Sequence, residues 1–222
     1  MCSSDLPRQA AMIVRGEEVV PLPERALWWP AARTVVVADL HWGKEEVFHA
    51  HGIPVPRGAL ADDLARLERV ATRLDATRVL VLGDLVHGAL APSVIASVAT
   101  WRARFGTPMT LVRGNHDRHA PSLPESWGIT EVTGVLEEGP FAFRHDPEPV
   151  ADRYVWAGHL HPMVTLRGPG DRVRLPCFHV GARLGVLPAF GTFTGGIGVR
   201  PAPGDSVFAV AEGQVVALGA CG

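Results

Sequence analysis

Apolar positions along the chain fall into short β-branched runs: TVVVAD (34–39), RVLVLGD (78–84), PMTLVRG (108–114), FAFRHD (141–146), YVWAGH (154–159) and SVFAVAEGQVVAL (206–218), each reading as a strand. Between the first three the period changes. Over 59–74, Leu60, Leu64, Leu67, Ala71 and Leu74 recur at helical spacing, with Asp62 and Asp63 in the first turn where the helix dipole favours anions. Over 92–105 a second helix begins at a proline and keeps Val94, Ile95, Val98 and Trp101 on one side. The first half thus alternates strand and helix. After Asn115 the alternation gives way to short strands separated by Gly and Pro turns, as in RGPGDRVR, GVLPAFGTFTGG and RPAPGDSVF. Such halves bury most surface as two facing sheets with helices outside, an α/β arrangement. We expect a loose tail over 1–10 and a single domain over 11–222, because no Ser/Gly-rich linker intervenes.

The 222 residues are enough to bury such a core without staples, and the 21 basic and 23 acidic side chains give a net charge of −2. That balance supplies no global attraction to a polyanion, although a local basic patch is compatible with it. Cys2, Cys177 and Cys221 are far apart and form no C-x-x-C pair, which excludes a disulfide framework or thiolate metal site as the reading. No signal-like or membrane-length apolar run occurs, so a cytoplasmic protein without a membrane partner is expected.

The candidate chemistry sits at the strand ends. The first strand ends in ADLHWGK, giving Asp39 and His41; the second ends in GDLVHG, giving Asp84; the third ends in RGNHD, giving Asn115, His116 and Asp117. His145 follows in FRHD, and His159 and His161 in AGHLHP. In extended backbone, each D-x-H or H-x-H pair points to one side. Carboxylates, imidazoles and one amide oxygen suit borderline-to-hard divalent ions such as Mn, Fe or Zn, and these groups, too many for one ion, suit two ions sharing a carboxylate.

In the order D-x-H, G-D-x-x-H, G-N-H-D, H, G-H-x-H, these residues resemble the signature of the calcineurin-like metallophosphoesterases. Within them the sequence is similar to the bacterial ligase-associated DNA damage response endonuclease (PdeM) family, over 13–218, in LPERALWWP, VADLHWGK, VLGDLVH, LVRGNHDR, AGHLHP, LPCF and GVLPAFGTFTG. The resemblance implies a four-layer sandwich of two mixed sheets flanked by helices. It implies that Asp39, His41 and His161 hold one metal, that Asn115, His145 and His159 hold the other, and that Asp84 bridges. His116 would act on the scissile phosphate, oriented by Asp117, while a hydroxide generated by two divalent ions, Mn preferred, attacks phosphorus in line. The substrate implied is DNA, single-stranded or distorted, in repair; functional association with a DNA ligase, helicase and exonuclease is implied by the family alone. A homodimer through exposed edges of the β-rich half is a further expectation.

Lys44 and Arg113 flank the metal motifs and are candidate phosphate ligands, and His87, where Asp is frequent in the superfamily, is a candidate either for supporting the metal ligands or for substrate contact. His49, His51, His119 and His179 read as structural or surface histidines, and Trp28 and Trp29 as packing of an N-terminal hairpin. The main alternative is a two-metal phosphoesterase for a small nucleotide or phosphorylated metabolite, which the near-neutral charge suits equally well. A catalytically silent scaffold is the third reading, disfavoured by the completeness of the motif set.

Overall fold

Strand β4 (Thr34–Val37) is buried along its whole length, which is why its sequence is a continuous apolar run instead of an alternation. It lies in the middle of a sheet whose order follows the chain: β1 (Met12–Val14), β2 (Glu17–Pro21), β3 (Leu27–Trp29), β4, β5 (Arg78–Leu82), β6 (Met109–Val112) and β7 (Ile129–Val132). The strands up to β4 are antiparallel neighbours, and β4 to β7 are parallel. This computed structural model describes residues 11–119, 122–168 and 170–218; the tail expected over 1–10, Cys2, Cys221 and the side chains of Arg118 and His119 lie outside the described residues.

Three helices lead between the parallel strands: α1 (Lys44–Ala50), α2 (Ala59–Arg73) and α3 (Pro92–Arg104). On α2, Leu64, Leu67, Val70 and Ala71 are buried, and with Val94, Val98 and Trp101 of α3 they pack on Val35, Val37, Val79 and Val81 of the sheet. A short turn of helix, α4 (Asn115–His119), follows β6.

The second sheet runs β14 (Ile197–Gly198), β11 (Pro162–Gly168), β12 (Asp171–Val180), β13 (Leu184–Val186), β10 (Tyr154–Ala157), β9 (Phe141–Phe143) and β8 (Leu136–Glu138). Strands β15 (Ser206–Ala211) and β16 (Gln214–Leu218) extend it from β12. It faces the first sheet across a second core, in which Val36, Ala38, Leu80 and Leu82 meet Phe141, Phe143, Trp156 and Phe178. Trp29 stands edge-on to Phe141 at 5.0 Å, as expected of a hairpin packed on the sheet. The two mixed sheets flanked by helices are present, and among the described residues every helix belongs to 44–127, on the side of the first sheet.

After Asn115 parallel pairing continues: β7 adds to β6, and β10 is parallel to both β9 and β13. The structure corrects two local expectations. The run 206–218 is two strands, because Glu212 (φ 48°) and Gly213 (φ 72°) form a two-residue turn of the kind that closes hairpins. Asp63, read as a first-turn anion, is buried on the apolar side of α2.

Candidate metal centre

The site is built where parallel strands of both sheets end. Beyond β4 and β5 the two chains continue side by side: the Asp39 N–H donates to the Gly83 carbonyl (3.1 Å), His41 to Asp84 (2.9 Å) and Trp42 to Leu85 (2.8 Å). Asp39 (φ 56°), His41 (φ 52°), Asp84 (φ 49°), His159 (φ 72°) and His161 (φ 46°) all adopt the left-handed region, which costs a non-glycine residue on the order of 1 kcal/mol each. Extended backbone, the condition under which spacing by two would point each pair to one side, is therefore not met. The pairs still converge, because both members of each carry the same left-handed twist.

Glycine precedes the acid in G-D because no side chain fits there. A Cβ on Gly83, at φ 77°, would lie 2.2 Å from His145 Nδ1, and one on Gly114 would lie 2.4 Å from Asp84 Oδ1. The ligands fill the space a side chain would occupy.

Two groups of donor atoms result, each within 4.8 Å of one another: Asp39, His41 and His161, and Asp84, His145 and His159. Asn115 joins the second, its Oδ1 lying 2.7 Å from His145 Nε2 and 3.1 Å from His159 Nδ1, with those two nitrogens 2.9 Å apart. The His145 Nδ1–H donates to the Leu82 carbonyl (3.0 Å), so its Nε2 presents a lone pair to the Asn115 oxygen. In the first group, His161 Nδ1–H donates to the Gly195 carbonyl (3.1 Å), aiming Nε2 at His41 Nε2 (3.4 Å) and Asp39 Oδ1 (3.5 Å). Lone pairs converging in this way repel one another unless a cation lies among them. Carbonyl-held tautomers are also how proteins orient metal-binding histidines. The donor set thus fits two divalent ions of the borderline-to-hard class.

The two histidines of the first group differ in their electrostatics. Burial, then the neighbouring Lys44 cation and the other histidines, lowers the His41 pKa to about 2, so its ring is neutral and available as a ligand. Burial pulls His161 down too, but the Asp39 carboxylate and the Gly195 carbonyl outweigh it and its pKa is raised. The buried Asp39 carboxylate accepts the His159 N–H (2.9 Å), tying the loops of the two sheets together.

His116 stands at the mouth, its side chain 42% exposed and its Nε2 3.9 Å from Asp84 Oδ2, while its backbone N–H donates to Asp84 Oδ1 (3.0 Å). Its ring lies 5.1 Å from that of His87 and 5.5 Å from that of His41. Asp117 is buried and accepts the N–H groups of Gly114 (2.8 Å) and Val86 (3.3 Å); its support of the Asn115 and His116 pair goes through the backbone instead of the His116 ring. Burial raises its pKa, partly offset by those bonds.

Lys44 opens α1 close enough to Asp39 and Asp84 for their charges to oppose the effect of burial, which lowers its pKa. His87 is half-buried, its Nδ1 without a hydrogen-bond partner among the described residues, and burial followed by Lys44 lowers its pKa. Arg113 is paired with Glu131 (3.4 Å) and also donates to the Asp117 carbonyl, so its guanidinium braces the turn. Outside the site, His49 and His51 bond to the carbonyls of Val55 and Val47, and His179 to Asp205.

Sequence reasoning missed the support for the first group. The Asp63 carboxylate accepts from Arg66 (2.8 Å), the Thr192 N–H (3.0 Å) and the Thr192 hydroxyl (2.8 Å). This anchors the 190–195 segment, whose Gly191 N–H bonds to the Asp39 carbonyl and whose Gly195 carbonyl holds His161. The signal was an acid beside Leu64 and Leu67, inside the apolar stripe.

Residues 32–181 match the calcineurin-like phosphoesterase family. The crystal structure of Pseudomonas putida nuclease MPE superposes with a TM-score of 0.83 at 38% identity, covering 94% of this chain and 98% of that one. A protein of unknown function from Aquifex aeolicus, AQ665, gives a TM-score of 0.40 at 18% identity over 58% of this chain and 78% of that one. A search of curated proteins found no match.

Proposed function

Because the chain belongs to the calcineurin-like phosphoesterase family and is accordingly a metal-dependent hydrolase, we propose that it is a two-metal phosphodiesterase that cuts DNA, single-stranded or distorted, in bacterial DNA repair. The observation that carries this reading is the pair of converging donor groups with a further histidine, His116, at their mouth. The similarity to a nuclease over nearly the whole of both chains supports the choice of a polynucleotide as substrate.

In this reading Asp39, His41 and His161 hold one ion, Asn115, His145 and His159 hold the other, and Asp84 is shared. Bound there, the ions supply Lewis-acid polarisation of the phosphoryl group and a water of lowered pKa. The chain's own residues do the rest. Asp84 fixes the His116 backbone, the exposed His116 ring donates a proton to the leaving oxygen or offsets charge on the phosphate, and Lys44 adds a cation beside the donors. Manganese is the ion we assign, with iron and zinc as alternatives that the same donors accept. A cytoplasmic location, a homodimer and functional association with a ligase, helicase and exonuclease complete the proposal. Among the described residues no helix is long and apolar enough to cross a membrane.

Circular single-stranded DNA tests this reading because it has no ends. Linearisation by the purified protein with manganese, lost on chelation and in His116→Ala, is the expected result. An intact circle alongside hydrolysis of a small diester would move the substrate to a small nucleotide or phosphorylated metabolite.

A further inference from the structure

Strands β11 and β12 form a two-stranded ribbon that leaves the metal centre directly, since β11 begins at Pro162, the residue after His161. Its register sorts the side chains by face. Met163 is opposite Pro176, Thr165 opposite Arg174 and Arg167 opposite Arg172, so these six share one face, while Val164, Leu166, Val173 and Leu175 share the other. One face of the ribbon is therefore apolar and the other carries three arginines.

The arginine face is electrostatically unbalanced. Arg167 and Arg172 are directly opposite one another, an arrangement that costs stability between like charges. The nearby acid, Asp171, belongs to the other face and accepts its neighbour's backbone N–H (2.6 Å). Among the described residues no carboxylate pairs with Arg167, Arg172 or Arg174; Arg174 donates to the Gly196 carbonyl (2.9 Å). The pair is thus open to an anion that arrives from outside.

The root of the same face leads to the metal centre. Met163 and Pro176 line a cavity of about 250 Å³ together with Arg25, Phe193 and the candidate metal ligand His161. Phe193 is held at φ 56°, in the left-handed region, and is half-buried in this wall, where an unstacked base can lie on its ring. From Met163 to Arg167 the ribbon extends by roughly 13 Å, so its outer arginines lie beyond the span of a small diester seated at the metals.

We propose that the arginine face of the β11–β12 ribbon, with the cavity at its root, is the track along which a single-stranded phosphodiester chain is held and fed to the metal centre. The inference rests on the nuclease reading above and adds the element that separates a polymer from a small substrate. Phosphate contacts at Arg167 and Arg172 provide sequence-independent affinity that falls with salt, and the cavity accommodates the nucleotide flanking the scissile bond.

The test is the double variant Arg167→Thr/Arg172→Thr, which replaces the repulsive pair by a cross-strand pair compatible with a sheet. Cleavage of circular single-stranded DNA and hydrolysis of bis(p-nitrophenyl) phosphate are measured across a salt series with manganese. Cleavage of DNA at low salt should fall at least about tenfold more than hydrolysis of the small diester, and the slope of log(kcat/KM) against log[salt] should flatten by about 1.4, the value for two lost single-strand phosphate contacts. Arg167→Glu, which pairs with Arg172 and keeps the ribbon intact, should show the same selective loss. The control Arg15→Asn/Arg69→Gln removes the same net charge from exposed positions elsewhere and should behave as wild type. Equal losses on both substrates, or an unchanged salt slope while wild type cuts DNA, would overturn the ribbon assignment alone. A wild-type protein that hydrolyses the small diester but neither cuts nor binds the circle would overturn the nuclease reading and the ribbon with it.

Discussion

A histidine that holds a metal and one that handles substrate differ in where the second ring nitrogen goes. His145 and His161 each spend one N–H on a backbone carbonyl, of Leu82 and Gly195, which fixes the other nitrogen as a lone-pair donor. Among the described residues His116 has no such carbonyl partner; its ring is partly open to solvent and approaches Asp84 and two other imidazoles. We therefore expect His116→Ala to retain two metals per chain by elemental analysis while its rate falls by about 10²–10⁴, the usual contribution of a positioned proton donor. Loss of metal in that variant would make His116 a ligand. His41 gives a different expectation. In the folded, metal-free protein it stays neutral to about pH 2, whereas in the unfolded chain it protonates near its ordinary value of 6.5. The unfolded state then binds the additional proton, so stability is lost as pH falls below about 6.5. The raised pKa of His161 acts with the opposite sign, so the comparison with His41→Asn isolates the effect. Chelated wild type should lose more melting temperature between pH 7.5 and pH 5 than chelated His41→Asn; equal losses would refute the assignment.

At the scale of elements, what could be read from the sequence was set by local chemistry. The apolar runs 34–37, 78–82 and 109–112 are strands because they are continuous, and α2 is a helix because Leu60, Leu64, Leu67 and Ala71 follow its period. The converging donors were legible because each motif follows its strand closely, although the backbone that converges them is left-handed and no spacing rule shows that. What depends on distant partners was not legible. The Asp63 carboxylate is satisfied by Thr192, 129 residues away, and nothing near Asp63 in the sequence says so. The same holds for β7, which pairs only because β6 offers it an edge. The Asp63 link makes a prediction of its own. Asp63→Ala frees the 190–195 segment that holds the Asp39 carbonyl and the His161 ring, and should weaken one of the two bound metals by about 10- to 100-fold, as losses of supporting hydrogen bonds do. Calorimetric titration with manganese reads this directly, and two undisturbed sites would show that the segment holds its place without α2.

At the scale of the whole molecule, the two donor groups draw on both sheets: Asp39, His41, Asp84 and Asn115 follow strands of the first, and His145, His159 and His161 follow strands of the second. His41 and His161 approach to 3.4 Å although they are 120 residues apart in the chain. An ion bound to both closes that loop as a disulfide would, but reversibly and without cysteine, and withholds from the unfolded chain the freedom of more than half its length. Saturating one site at 100 times its dissociation constant adds about 2.7 kcal/mol to the folded state. The metal-loaded protein should accordingly melt higher than the chelated one, and limited proteolysis of the chelated protein should proceed faster; identical melting curves would show that the sheets need no such clasp. On the two-metal reading, the centre proposed to perform the chemistry would also be the molecule's last stitch, so that withdrawing metal would loosen the fold as well as stop the reaction.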